Sequence, residues 1–166
     1  EFRRVLFRSA RPDTLPDKLC FRVIRQSPLV FIAPSSSSHL RAMLDENLER
    51  GADLAWERVP LVLSESGLAR TRVNLWFRER QIRPNIYAQV SGNEAIVSMV
   101  SLGFGVGVVP LLVVENSPLR GKVEILDVEP QLEPFSIGLC TLRRKLNSPL
   151  IKAFWDLSQE HATDLN

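Results

Sequence analysis

The chain has 166 residues, enough for one ordinary globular domain, and with 45% apolar residues it can fill a core. Charged residues make up 24%, which excludes a disordered or charge-extended polymer, and no uninterrupted apolar stretch is long enough to cross a bilayer. The formal charge of +2 comes from 21 basic and 19 acidic side chains, a surplus too small to imply nucleic-acid binding until its location is known.

That surplus sits in the first nine residues, EFRRVLFRS, where Arg3, Arg4 and Arg8 face only Glu1. With those removed, the remaining 157 residues carry 18 basic and 18 acidic groups. The head has no apolar core followed by a small-residue cleavage site, so it does not read as a secretory signal. It reads as a non-native scar over 1–9 and is left out of the expected fold; a native basic arm is the other reading.

From Leu19 the pattern is extended. LCFRVI and VFIAP form two short β-rich runs, joined through QSPL by a proline-containing turn. Pro34 and the serines Ser35 to Ser38 mark a hinge or crossover. His39 to Gly51 has Leu40, Met43, Leu44 and Leu48 near helical spacing, and a buried strand follows at Val59 to Glu65. Ser66 stands where a helix N-cap belongs, ahead of GLARTRVNLWFRERQI. In that helix Ala69, Val73, Trp76, Phe77 and Arg80 share a face, while Arg70, Arg72, Arg78 and Arg83 are expected on the rest. Pro84 ends it, and Asn85 to Val90 supplies the next strand.

Ser91-Gly92-Asn93-Glu94 matches a capping box at the start of EAIVSMVSL, which Gly103 stops. GFGVGVVP turns into a short buried strand ending at Pro110. Its glycines do not give G-x-G-x-x-G and they precede a strand rather than follow one, so a structural turn is expected instead of a phosphate loop. Leu111 to Glu115 is a helical turn, Lys122 to Val128 a strand and Phe135 to Arg144 a longer strand. Ser148-Pro149 opens a last helix whose Leu150, Ile151, Phe154, Trp155 and Leu157 suit docking on a sheet. Strands alternating with helices from Val59 to Val128 indicate an α/β layered unit with a mainly parallel sheet.

Chemistry is sparse. Cys20 and Cys140 are the only cysteines and lie in apolar segments; His39 and His161 are the only histidines. Neither histidine stands near a cysteine or a carboxylate cluster. No metal site, cofactor or catalytic device is therefore expected, and the chain does not read as an enzyme. The arginine-rich helix lacks interleaved exposed aromatics, so a solvated face is expected there rather than a nucleic-acid contact. Trp76 and Phe77 read as core, with a partner-covering role as the other option.

The most informative geometry is repeated: a strand ends, a serine-containing turn follows, a helix begins. It occurs at Ser64-Glu65-Ser66-Gly67 and at Ser91-Gly92-Asn93. In a parallel α/β sheet both turns lie at the carboxyl edge, where ligands bind. Two adjacent helix N-termini favour a small carboxylate. The pattern alone fits two ordinary helix caps better than an anion pocket.

Val73 to Pro118, with LWFR, NEAIVSMVSLG, GVGVVP and ENSP, and PLIKAFW near the end, resembles the effector-binding (substrate-binding) domain of LysR-type transcriptional regulators. Within that family it is most similar to the activators of branched-chain amino acid biosynthesis. The resemblance covers about Pro28 to His161. It implies a two-lobed α/β fold like type 2 periplasmic binding proteins, with the first lobe incomplete. Residues 10–35 would be a remnant of that lobe, 36–134 the second lobe, and 135–166 a return strand and final helix completing the first.

It also implies a ligand-gated sensor without chemistry on its ligand, in the cytoplasm, as part of a homodimer or tetramer. The effector would be a small carboxylate, an acetohydroxy acid such as acetolactate or acetohydroxybutyrate, held in the cleft between lobes. The candidate contacts are Ser66, Gly67, Ser91, Gly92 and Asn93, with Val106 and Ile137 as the apolar wall. Operator DNA would be reached only through an N-terminal helix-turn-helix domain absent from this sequence. A stand-alone or periplasmic-type solute-binding protein for small carboxylates shares the fold and is the alternative.

Overall fold

The computed structural model describes residues 6–10, 15–36, 40, 44 and 56–163. Its architecture is α/β, and the chain divides into two compact units: Glu1–Ser27 with Pro134–Asn166, and Pro28–Glu133. The first division falls at 27/28, not at the 35/36 expected from the serine run.

The reason is visible in β2, a single sixteen-residue strand from Leu19 to Pro34. The two runs expected on either side of a QSPL turn are one strand. Pro28 lies inside that strand, one residue before Leu29, the first residue paired with β5 (Val106–Pro110).

In the second unit, β2 is flanked on one side by β6 (Val123–Leu126) and on the other by β5, both antiparallel to it. Next to β5 come β3 (Pro60–Ser64) and then β4 (Asn85–Val90), mutually parallel. The resulting order is β6-β2-β5-β3-β4. Helices α1 (Gly67–Glu79), α2 (Asn93–Ser101) and α3 (Leu111–Glu115) join these strands.

β5 is buried at every residue, as its unbroken apolar run requires. Ile32, Val62, Ile96, Val97, Val100, Val109, Val114 and Val123 form one core cluster. Gly107 lets α2 sit close on β5: a β-carbon there would lie 2.6 Å from Ile96 Cγ2 and 2.8 Å from Val100 Cγ2. At the preceding turn, a β-carbon on Gly105 would lie 2.5 Å from the Pro60 carbonyl oxygen. The glycine run is thus a packing device, the structural turn expected.

A second cluster is aromatic. Phe31 lies 4.7 Å from Trp56 and 5.4 Å from Trp76, and Trp76 lies 5.0 Å from Phe77, ring centre to ring centre. Trp76 and Phe77 are therefore core, and the apolar face of α1 is Val73, Trp76 and Phe77 as its spacing required. Arg72, expected among the exposed arginines, is buried with them. Of the helix expected over 39–51, Leu40 and Leu44 are helical and buried; the rest lies outside the described residues.

In the first unit, β1 (Leu6–Ala10) pairs antiparallel with β7 (Leu132–Leu142), Leu6 opposite Cys140 and Ala10 opposite Ser136. The head that composition left out of the fold thus contributes a strand over 6–10, since LFRSA offers β7 a ladder whatever its charge. β7 also lies beside β2, and Gly138 permits a close approach, because a side chain there would run into the Arg22 carbonyl oxygen. The last helix, α4 (Pro149–Thr163), begins at the expected proline. Only part of its expected docking face is covered: Trp155 is buried, with the Arg22 guanidinium 4.7 Å from its ring centre, while Leu150, Phe154 and Leu157 are exposed. Cys20 and Cys140 are half-buried free thiols. No described helix is long and apolar enough to cross a membrane.

Candidate functional site

The carboxyl edge of the second unit's sheet is set by strand register. Ser64, the last residue of β3, lies opposite Val90, the last of β4, in a parallel pair. Both strands therefore deliver their following turns to the same edge. A backbone hydrogen bond of 3.1 Å from the Glu65 amide to the Val90 carbonyl ties the two turns together.

Each turn then makes the same move. Gly67 has φ +90° and Gly92 φ +92°, so each chain reverses through a conformation that a β-carbon disfavours, and a helix begins at once. The sequence Ser-Gly recurs because glycine is needed at this step. Nothing lies within 4 Å of where a Gly67 β-carbon would be, so that position opens onto free space.

The capping box expected at Ser91 is not formed. Gly92 is the N-cap of α2, one position later than the box requires, and it has no side chain to offer. Ser66 is the N-cap of α1 in position, with φ −155°, yet its hydroxyl makes no capping bond. Both serines are exposed. The two hydroxyls and the first amides of two helices thus share an edge of the sheet without serving each other, which removes the chief physical reason to read these serines as ordinary caps.

Arg70, expected only as surface decoration, organises this edge. Its guanidinium donates to the Ser64 carbonyl (3.0 Å), to Gln89 Oε1 (3.0 Å) and, through Nε, to Asn74 Oδ1 (3.0 Å). One side chain thus joins the end of β3, the end of β4 and the body of α1. Its position four residues after Ser66 was the available signal: an arginine in the first turn of a helix opposes the helix dipole unless something else holds it there. The edge is electrically mixed, because Glu65 and Glu94 stand beside the turns, Glu94 in the first turn of α2. An anion held here would be held by the amides at the helix starts, the hydroxyls and Arg70, not by net charge.

Five of the seven residues picked from sequence meet at this edge: Ser66, Gly67, Ser91, Gly92 and Asn93. Val106 does not. It is fully buried and pairs with Leu61, near the amino end of β3, so it faces the core at the far end of the strands. The pattern GFGVGVVP signals burial but not which end of the strand a residue occupies. Ile137 belongs to the first unit, buried in β7 opposite Ser9. Among the described residues, no three His, Cys, Asp or Glu side chains are grouped as a metal site would need.

Residues 5–163 match the family described as LysR substrate binding domain. The chain is 37% identical over 148 residues to the HTH-type transcriptional activator IlvY of Haemophilus influenzae, covering 89% of this chain and 49% of that protein. It is 38% identical over 156 residues to the HTH-type transcriptional regulator IlvY of Escherichia coli, covering 92% and 51%. The chain thus spans about half the length of the curated relatives it matches. Two solved structures share the fold at 20% identity: the effector binding domain of QuiR in complex with shikimate, with TM-score 0.70 over 97% of this chain and 72% of that one, and the Synechocystis CcmR regulatory domain in complex with 2-PG, with TM-score 0.72 over 93% and 71%.

Proposed function

This chain belongs to the LysR substrate binding domain family, and from that premise we propose that it is the sensor of an IlvY-like transcriptional activator whose effector is a small acetohydroxy acid. Its curated relatives are transcriptional regulators, not enzymes. In this reading the protein acts in the cytoplasm, assembles as a homodimer or tetramer and reaches operator DNA through a helix-turn-helix domain outside this sequence. Binding of the effector biases the assembly toward one arrangement by its differential affinity for it.

One observation carries the assignment of the ligand's place: two hydrogen-bonded Ser-Gly turns at one sheet edge, whose serine hydroxyls do not cap the helices they precede. An acetohydroxy acid has a carboxylate beside a hydroxyl and a carbonyl. The carboxylate suits the amides at the start of α1 and α2. Its hydroxyl and carbonyl suit Ser66, Ser91 and the Asn93 side chain, which can both donate and accept. Arg70 holds the edge in shape and adds positive charge.

Titration calorimetry of the complete gene product with acetolactate tests this. Saturable binding is expected, weakened about fivefold in Ser91→Ala, the size of one neutral hydrogen bond, with operator affinity unchanged. Wild-type affinity in Ser91→Ala would remove this turn from the site. No binding of acetolactate or acetohydroxybutyrate, with a response to another small acid, would move the effector class and leave the family untouched.

A further inference from the structure

We propose that α1 links the Ser66–Gly67 turn to the start of β7, with the Arg72–Glu133 ion pair as the joint that carries the state of the turn into that strand. The proposal rests on the effector reading of the turn for its biological meaning, though not for its test.

Arg72, Trp76 and Arg80 recur every four residues and form one stripe along α1. The stripe faces the segment that enters β7. Arg72 Nε lies 3.0 Å from Glu133 Oε2, with the Arg72 side chain 4% exposed and that of Glu133 57%. Trp76 Nε1 donates to the Pro130 carbonyl at 2.7 Å. Arg80 lies over the Trp76 ring, 4.1 Å from its centre, and donates to the Trp76 carbonyl at 2.8 Å. Beside these contacts is a groove of about 270 Å³ lined by Arg72, Trp76, Arg80, Pro130 and Glu133. The Glu133 carboxylate is on the exposed side of this groove, so the ion pair can be removed from that end without deleting a core side chain.

The joint is a charge-assisted hydrogen bond of 3.0 Å between a buried guanidinium and a carboxylate that is 57% exposed, so Arg72 and Glu133 are expected to move together. Glu133 also precedes Pro134, which restricts the Glu133 backbone to extended conformations. At that point the chain leaves the second unit and enters the first.

At the other end of α1, Thr71 Oγ1 donates to the Gly67 carbonyl at 3.1 Å and Arg70 to the Ser64 carbonyl at 3.0 Å. Arg72 is five residues beyond Gly67, about 7.5 Å along a helix. The turn and the joint are thus separated by less than two turns of one rigid element.

Amide hydrogen exchange of the complete gene product tests this by double perturbation. Gly67→Ala strains the turn, because Gly67 has φ +90°. It is expected to speed exchange several-fold both at residues 65–68 and at residues 131–136. In a Glu133→Gln background the change at 65–68 should persist while that at 131–136 falls below twofold; Glu133→Asp, which keeps the charge at shorter reach, should give an intermediate value and serves if Glu133→Gln does not fold.

An undiminished response at 131–136 without the carboxylate overturns the proposal. So does the absence of any such response with the native pair, or a uniform rise across the second unit in Glu133→Gln, which would make the pair a general stabiliser. Acetolactate added to the native pair is expected to slow exchange at both places, and in Glu133→Gln only at the turn. Failure of acetolactate to protect the turn counts against the effector reading, while the Gly67→Ala arm still decides the joint.

Discussion

The two units bury their apolar residues to different depths. In the second, Phe77, Ile32, Leu61, Ile96 and Val100 are among the largest fully buried side chains, and helices cover a sheet whose central strand β5 is buried throughout. Among the described residues, none of the largest fully buried side chains belongs to the first unit. There Phe135, Ile137, Leu139 and Trp155 are buried but keep a residual exposure, and α4 presents Leu150, Phe154 and Leu157 to solvent. Helices α1 and α4 each carry an apolar face, yet one closes a core and the other leaves most of its described apolar residues open. An amphipathic pattern says that a helix has a face to bury; the neighbouring strands decide how much of it is covered.

The comparison breaks most readily at Phe77, 1% exposed and set among Phe31, Trp56 and Trp76. Phe77→Ala is expected to cost about 3–5 kcal/mol by denaturant unfolding, the range for a large aromatic removed from a packed core. A loss under about 1 kcal/mol would show the second unit's interior to be no tighter than the first's.

Gly107→Ala is the next largest effect. The added methyl would meet Ile96 and Val100 at 2.6 Å and 2.8 Å, and overpacking of this kind costs about 1–3 kcal/mol. A melt unchanged from wild type would mean that α2 can lift from β5, and that the core is less closed than its burial implies.

These positions also show what could be read from residue order and what could not. The α1 stripe of Val73, Trp76 and Phe77, the NIYAQV strand, the turn into β5 and the opening of α4 at Pro149 all follow from local period and from Gly or Pro placement. So does the meeting of two Ser-Gly turns, because parallel strands bring their carboxyl ends to one edge.

Three things depended on long-range partners. Arg72 reads as a surface arginine until Glu133, 61 positions away, is placed beside it. Pro28 reads as a turn until β2, with β7 and β5 beside it, is seen to run unbroken from Leu19 to Pro34. Val106 reads as a pocket wall until its register with Leu61 puts it at the wrong end of the strand. At the candidate site, local pattern suggests two ordinary helix caps, but the glycines after Ser66 and Ser91 shape the turns and neither hydroxyl caps.

Arg70 sharpens the comparison at the candidate site, since it holds the rim of the well-packed unit together from outside the core. Arg70→Met removes bonds to Ser64, Gln89 and Asn74 while keeping much of the apolar stem. The expected loss of stability is about 1 kcal/mol, because partly exposed hydrogen bonds contribute little net. Effector affinity should fall further than stability does, as the end of β3 loses its brace to β4. Equal, proportionate losses in unfolding and in acetolactate calorimetry would reduce Arg70 to a stabilising contact.

The smallest effect tests the open side of the comparison. Leu157 on α4 is 52% exposed, whereas Trp155, two residues earlier, is 8% exposed. Leu and Gln have similar helix propensities, so Leu157→Gln changes the apolar surface and little else. Unfolding stability is expected to stay within about 0.5 kcal/mol of wild type, as for surface sites generally. Self-association by light scattering should decrease, since Leu150, Phe154 and Leu157 lie along one helix as an exposed apolar surface. A loss of about 2 kcal/mol or more would mean that this face is covered in the folded protein. The contrast between the units would then reflect what lies against α4, and not a difference in how their sequences pack.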